Sequence, residues 1–263
     1  MDIIVDGKTA HAATGGWPLN PDKSAVVLIH GAGLDRTIWQ FQTRNIANSG
    51  HQTFAVDLPG HGRSEGPSLN EIEDIAEWVM SFMSAVGVDT TTIIGHSLGA
   101  LVALEVAARY PKRVNKLCLM GVAETMPVHP DLLAAAKINQ PLAAELIVYW
   151  GLDKKAQIGG HPLPGLWIHQ SSLALLEAAN PGVLFCDLTA CNAYTSAIEA
   201  AARVACPTLL VLGRDDKMTP IKKSRRLAAA IADQRTVIIE KCGHMVMSER
   251  PKQVFDALKG FVF

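Results

Sequence analysis

The stretch Thr91-Thr92-Ile93-Ile94-Gly95-His96-Ser97-Leu98-Gly99-Ala100 decides how this chain is read. Its first four residues are β-branched, the side chains that a buried pleated strand packs best. From Leu98 to Tyr110 the composition turns to Ala, Leu and Val in a helical pattern, and Pro111 stops it. Between the two lies Gly95-His96-Ser97-Leu98-Gly99, the Gly-x-Ser-x-Gly form of a sharp strand-to-helix turn that exposes a serine hydroxyl at a sheet end. So tight a turn strains the serine backbone, and the residues two positions away must lack a β-carbon to avoid it. The five-residue pattern alone is common. The strand before it and the helix after it make it informative.

Working outward, the same strand–helix beat recurs. Asp2 to Val5, the turn pair Asp6-Gly7, and Lys8 to His11 read as a hairpin. Ala25 to His30, Gln52 to Leu58 and Lys116 to Gly121 are short apolar runs suited to strands covered on both faces. Glu71 to Val86 is an amphipathic helix with Ile72, Ile75, Ala76, Val79 and Phe82 near one face and acids in its first turns. The beat resumes with strand Thr208 to Leu212, helix Ile221 to Ile231, strand Thr236 to Glu240 and helix Pro251 to Phe261. The pattern predicts an α/β fold, a mostly parallel sheet with helices on both faces. Residues 122–203 break the rhythm with Ala- and Leu-rich helical stretches and no convincing strand. They are expected to form a helical cap inserted between core segments 1–121 and 204–263, roofing the carboxyl ends of the strands.

Composition narrows the function. The chain has 263 residues, 49% of them apolar, and a formal net charge of −1. That is enough chain for a large core, and it lacks the basic excess that a nucleic-acid partner requires. No apolar run approaches the roughly 18 residues of a membrane span, and the N-terminus lacks a secretory pattern. The five cysteines are scattered and form no Cys-x-x-Cys pair, so they read as reduced thiols of a cytoplasmic protein. His-Glu-x-x-His and paired Cys or His ligands are missing, and neither a metal nor a cofactor is expected.

A serine hydroxyl needs a base. Of nine histidines, His244 follows Cys242-Gly243 just after strand Thr236 to Glu240, at the sheet end where the serine also lies. His96 adjoins Ser97 and is expected to point away from it, in a packing or hydrogen-bonding role. The imidazole in turn needs a carboxylate to fix its tautomer. Asp215 and Asp216 both follow strand Thr208 to Leu212 and either serves by composition; Glu124 is a weaker choice. The order serine, acid, histidine suits such a turn. Two amides should hold the oxyanion. One is Leu98, at the helix start, and the other comes from His30-Gly31-Ala32-Gly33, with Ala32 favoured and Gly33 second.

Together, His30-Gly31 with Trp39 following, Asp57-Leu58-Pro59-Gly60-His61-Gly62-Arg63-Ser64, the serine turn, Gly213 to Pro220 and Gly243-His244 resemble the α/β-hydrolase superfamily, in its serine-nucleophile, cap-bearing esterase branch. The resemblance spans nearly the whole chain. It implies a triad of Ser97, Asp216 and His244, because the family's Gly-x-x-Asp-x-x-x-Pro pattern puts the acid three residues after Gly213. It also makes residues 57–64 a structural turn, and it implies cleavage of a small-molecule carboxylic ester.

Other readings fit less well. Gly31-Ala32-Gly33 meets Arg36 where a dinucleotide loop needs its third glycine, and no phosphate loop is present. A non-catalytic binding module on this fold would be expected to lack a triad member. Relatives that use aspartate as nucleophile, dehalogenases and epoxide hydrolases, are disfavoured by Ser97. Carbon–carbon bond hydrolases carry Ser-Gly-Pro-Gly and a Trp after the histidine, where this chain has Ala32-Gly33-Leu34-Asp35 and Met245. Lactone hydrolysis and cofactor-free haloperoxidase chemistry use the same triad. His30 and Asp35 match a His-x4-Asp acyltransferase spacing, but His30 is better read as part of the oxyanion loop. Met126, Leu142, Trp150, Leu163, Trp167, Leu176 and Met245 are candidates for an apolar substrate pocket, although Met, Trp and Leu at helical spacing more often serve packing. Oligomeric state leaves no trace in these residues.

Overall fold

The computed structural model describes residues 1–262. Its eight strands are β1 (Asp2–Val5), β2 (Lys8–Ala13), β3 (Ala25–Ile29), β4 (Gln52–Val56), β5 (Thr91–His96), β6 (Val114–Met120), β7 (Thr208–Gly213) and β8 (Gln234–Ile239). They form one sheet in the order β1-β2-β4-β3-β5-β6-β7-β8. β1 and β2 pair antiparallel, as does β2 with β4; every other pairing is parallel. This is the α/β-hydrolase fold.

The helices are α1 (Gln40–Asn48), α2 (Ile72–Ala85), α3 (Leu98–Arg109), α4 (Pro130–Lys137), α5 (Pro141–Gly151), α6 (Lys154–Gln157), α7 (Ile168–Glu177), α8 (Val183–Ala193), α9 (Ala197–Arg203), α10 (Ile221–Ala230), α11 (Val246–Glu249) and α12 (Pro251–Lys259). A 3-10 turn, Arg36–Trp39, precedes α1. The central strands are buried along their length because both faces are covered. Alternate side chains serve opposite layers. Val27, Ile29, Ile93, Leu117 and Leu210 pack with residues of α2, α3, α9 and α10. Val26, Leu28, Ile94, Cys118 and Leu209 pack with Ile46 of α1 and Val254 and Leu258 of α12.

The chain leaves β3 towards β4 on one side and returns to β5 on the other. The carboxyl ends of β3 and β5 therefore flank a topological switch point, where parallel sheets open a crevice. Between β6 and β7 the chain is helical, α4 to α9. The last of these, α9, packs on α3 and α10 beside the sheet, so residues 197–203, expected in the inserted segment, lie in the layered core. No described helix is long and apolar enough to cross a membrane. All five cysteines are unpaired.

Candidate active site

Ser97 is the single residue between β5 and α3, with φ +55° and ψ −119°. The flanking glycines are what make that possible. A β-carbon on Gly95 would run into the Gly99 carbonyl oxygen, and one on Gly99 would overlap the carbonyls of Ile29 and His30. Strand and helix thus approach more closely than any side chain permits.

His244 lies on the loop after β8 and is 1% exposed. Its Nδ1–H donates to Asp216 Oδ2 at 2.8 Å. Asp216, at the end of β7, also accepts from the Met218 and Thr219 amides at 2.8 Å each and from the Thr219 hydroxyl at 2.7 Å. Burial alone would raise this carboxyl, but the His244 ring and the Thr219 donors outweigh it and hold the group at about 2. The carboxylate stays ionised, so it fixes the proton on Nδ1 and leaves the Nε2 lone pair to accept. Nε2 is buried and makes no hydrogen bond within the protein.

The histidine loop is held from several sides. The His244 amide donates to the Gly151 carbonyl at 2.7 Å, and Gly243 N–H to Glu249 Oε1 at 3.0 Å. Glu249 Oε2 also accepts from Asp153 N–H at 2.9 Å, and burial pushes the Glu249 carboxyl up to about 7. His96, expected to point away from Ser97 in a packing or hydrogen-bonding role, takes the hydrogen-bonding role but does so at the site. It lines the same cavity as Ser97, its ring centroid lies 4.8 Å from that of His244, and its Nε2–H donates to the His244 carbonyl at 3.0 Å.

Asp215 is exposed and Glu124 pairs with Arg226 at 3.1 Å, so Asp216 is the acid that meets His244. After β3, the Gly33 amide is taken by Asp187 Oδ2 at 2.8 Å, which removes Gly33 from the possible oxyanion donors and leaves Ala32. His30 is buried, donates from Nδ1 to the Gly31 carbonyl at 2.9 Å and accepts the Leu58 amide at Nε2, 3.1 Å. Asp35 caps the Arg36–Trp39 turn through the Thr37 amide, so the two do not form an acyltransferase pair. In the 57–64 turn, Asp57 is fully buried and accepts from the Arg36 and Arg63 amides at 2.8 and 2.9 Å.

Ser97, His244, Gly31 and Ala32 open onto one cavity of about 420 Å³. Its apolar wall comes largely from Met126, Leu132, Ile147, Trp150, Leu188 and Met245. Of the other pocket candidates, Leu142, Leu163 and Trp167 are exposed on the surface, and Leu176 is buried against Gly33. Helical spacing locates a face without saying what it faces. The roles of Thr219, Glu249, Gly151 and Asp187 have no signature in the sequence, because each depends on a partner distant along the chain.

Residues 26–257 match the Alpha/beta hydrolase family, and the chain belongs to it; it is a hydrolase by family. It is 28% identical over 246 residues to a 2-hydroxy-6-oxo-6-phenylhexa-2,4-dienoate hydrolase of Comamonas testosteroni, covering 86% of this chain and 83% of that one. It is 27% identical over 252 residues to the pimeloyl-[acyl-carrier protein] methyl ester esterase of Aeromonas hydrophila subsp. hydrophila, covering 90% and 94%. The enol-lactonase of Burkholderia xenovorans LB400 shares the fold with a TM-score of 0.87 at 22% identity, over 98% of this chain and all of the other.

Proposed function

We propose that this protein is a serine hydrolase that cleaves small to medium carboxylic esters through an acyl-enzyme, without a cofactor. Ser97 attacks the ester carbonyl as His244 Nε2 takes its proton, and Asp216 holds the imidazole and stabilises its charged form. The amides of Leu98 and Ala32 receive the oxyanion. His244 then protonates the departing alcohol, and a water activated by the same ring releases the acid. Helices α4 to α8 act as the cap. The observation that supports this most directly is His244: its Nδ1 proton is given to an ionised Asp216, and its Nε2 is unpartnered beside the cavity that Ser97 lines. The apolar wall favours an ester with an uncharged acyl or alcohol group of modest length. Ser97→Ala should lower turnover roughly 10⁶-fold, and a fluorophosphonate should label Ser97. Near-normal hydrolysis by that variant, or label elsewhere, refutes the assignment.

A further inference from the structure

A second buried polar cluster touches the loop after β3. Asp187, on α8, is 1% exposed, and its Oδ2 accepts both the Gly33 amide and His61 Nε2–H, each at 2.8 Å. His61 also gives Nδ1–H to the Pro59 carbonyl at 3.0 Å. With an acceptor on each nitrogen, both nitrogens donate and the ring is an imidazolium. Burial opposes that charge, but the Asp187 carboxylate outweighs it and raises the His61 proton affinity above its ordinary range. A buried ion pair is a poor source of stability, since an apolar pair of similar volume does as well or better. Its contacts point to a positional task instead.

The surroundings say what is being positioned. Leu184, Asp187, Leu188 and Cys191 follow the i, i+3, i+4, i+7 spacing and share one face of α8. A β-carbon on Gly33 would meet Leu184 Cδ1 at 2.8 Å, while Leu188 and Cys191 line the cavity. One helix face therefore presses on the loop and walls the substrate space. Within the loop, the Gly31 carbonyl receives His30 Nδ1–H at 2.9 Å and the Leu34 amide at 3.2 Å. In a trans peptide the N–H points opposite to the carbonyl, so the Ala32 N–H is aimed away from those two donors. The next peptide is fixed at its other end, by Asp187.

We propose that Asp187 is a positioning residue for the oxyanion donor: by holding the Ala32–Gly33 peptide from α8, it sets the direction of the Ala32 N–H without touching substrate. The inference rests on the reading of Ser97, His244 and Ala32 above.

The test uses the full-length enzyme, with kcat expressed per fluorophosphonate-titrated site. Asp187→Ala is expected to lower kcat on a p-nitrophenyl ester about 10- to 100-fold with KM within about twofold. A trifluoromethyl ketone, which forms a tetrahedral adduct with the serine, should bind more weakly by the same factor. Asp187→Asn keeps an oxygen for the Gly33 amide and should recover most of the loss. Because Asp187→Ala strands a buried imidazolium, the double variant His61→Leu, Asp187→Leu removes the acceptor with both charges and is read in the same way. Unchanged kcat per site in these variants overturns the positioning role. So does a fall in kcat while the ketone's affinity holds, or an Asn variant no better than Ala. A wild-type enzyme that neither labels nor hydrolyses the ester overturns the Ser97 reading instead, so the two failures are distinct.

Discussion

Replacing Ser97 by glycine and, separately, by alanine isolates the strain stored between β5 and α3. With φ +55° and ψ −119°, Ser97 sits where a residue bearing a β-carbon is disfavoured, at about 1–3 kcal/mol. Both substitutions remove the hydroxyl, so its contribution cancels between them. Alanine keeps the β-carbon and the strain. Glycine loses the strain but gives the unfolded chain more freedom, about 0.5–1 kcal/mol relative to alanine. Ser97→Gly should therefore be more stable than Ser97→Ala by up to about 2.5 kcal/mol and by about 1 kcal/mol at mid-range, a visible part of a total stability of about 5–15 kcal/mol. Urea denaturation followed by the fluorescence of the five tryptophans measures the difference. Both variants should be equally inactive. A glycine variant no more stable than the alanine variant would refute the idea that the turn holds its nucleophile under strain.

Two further outcomes follow from the same geometry. Gly121, at φ +57°, has room for a β-carbon only 3.0 Å from His244 Nδ1 and Cε1, so Gly121→Ala should tilt the imidazole and lower kcat about 10²-fold, as steady-state kinetics will report. A loss confined to KM would contradict that. On acidification, His30 and His96, which burial holds at about 3, remain neutral in the folded state while the unfolded chain takes up protons below 6.5, so stability falls as pH drops through that window. Glu249 has the opposite sign. Raised by burial from 4.5 to about 7, it holds an extra proton in the folded state, and that contribution is lost as pH rises through 7. Glu249→Gln removes this offset, and its stability between pH 6.5 and 5 should fall more steeply by about one proton. Parallel slopes for the two proteins would count against it.

Much of the architecture was legible because local chemistry and global fold agree. Ala25–Ile29 is a continuous apolar run, and residues 91–94 and 208–212 are β-branched and apolar, the composition that suits short, doubly covered parallel strands. The helix Gln40–Asn48 was not foreseen, since its sequence Gln-Phe-Gln-Thr-Arg-Asn-Ile-Ala-Asn offers no apolar stripe; Ile46 and the preceding Trp39 are buried by tertiary packing. Gly95 and Gly99 announced a close approach of strand and helix. The contacts that shape the candidate site are another matter. Asp187 and His61 meet across 126 residues, and Gly33 and Asp187 across 154, distances over which one sequence has no periodicity to read. For the same reason Leu142, Leu163 and Trp167, candidates for the pocket by composition, lie on the surface.

The helices between β6 and β7 are tied to the candidate site at two points. Through the Gly151 carbonyl they grip the backbone of His244, and through Asp187 they grip that of Gly33. Exchanging this segment for another in the hope of new selectivity would therefore also unfasten both anchors. A chimera that preserved these two attachments could vary Trp150, and Leu132 and Ile147 within the volume their buried packing allows; one that discarded them would change the machine along with its mouth.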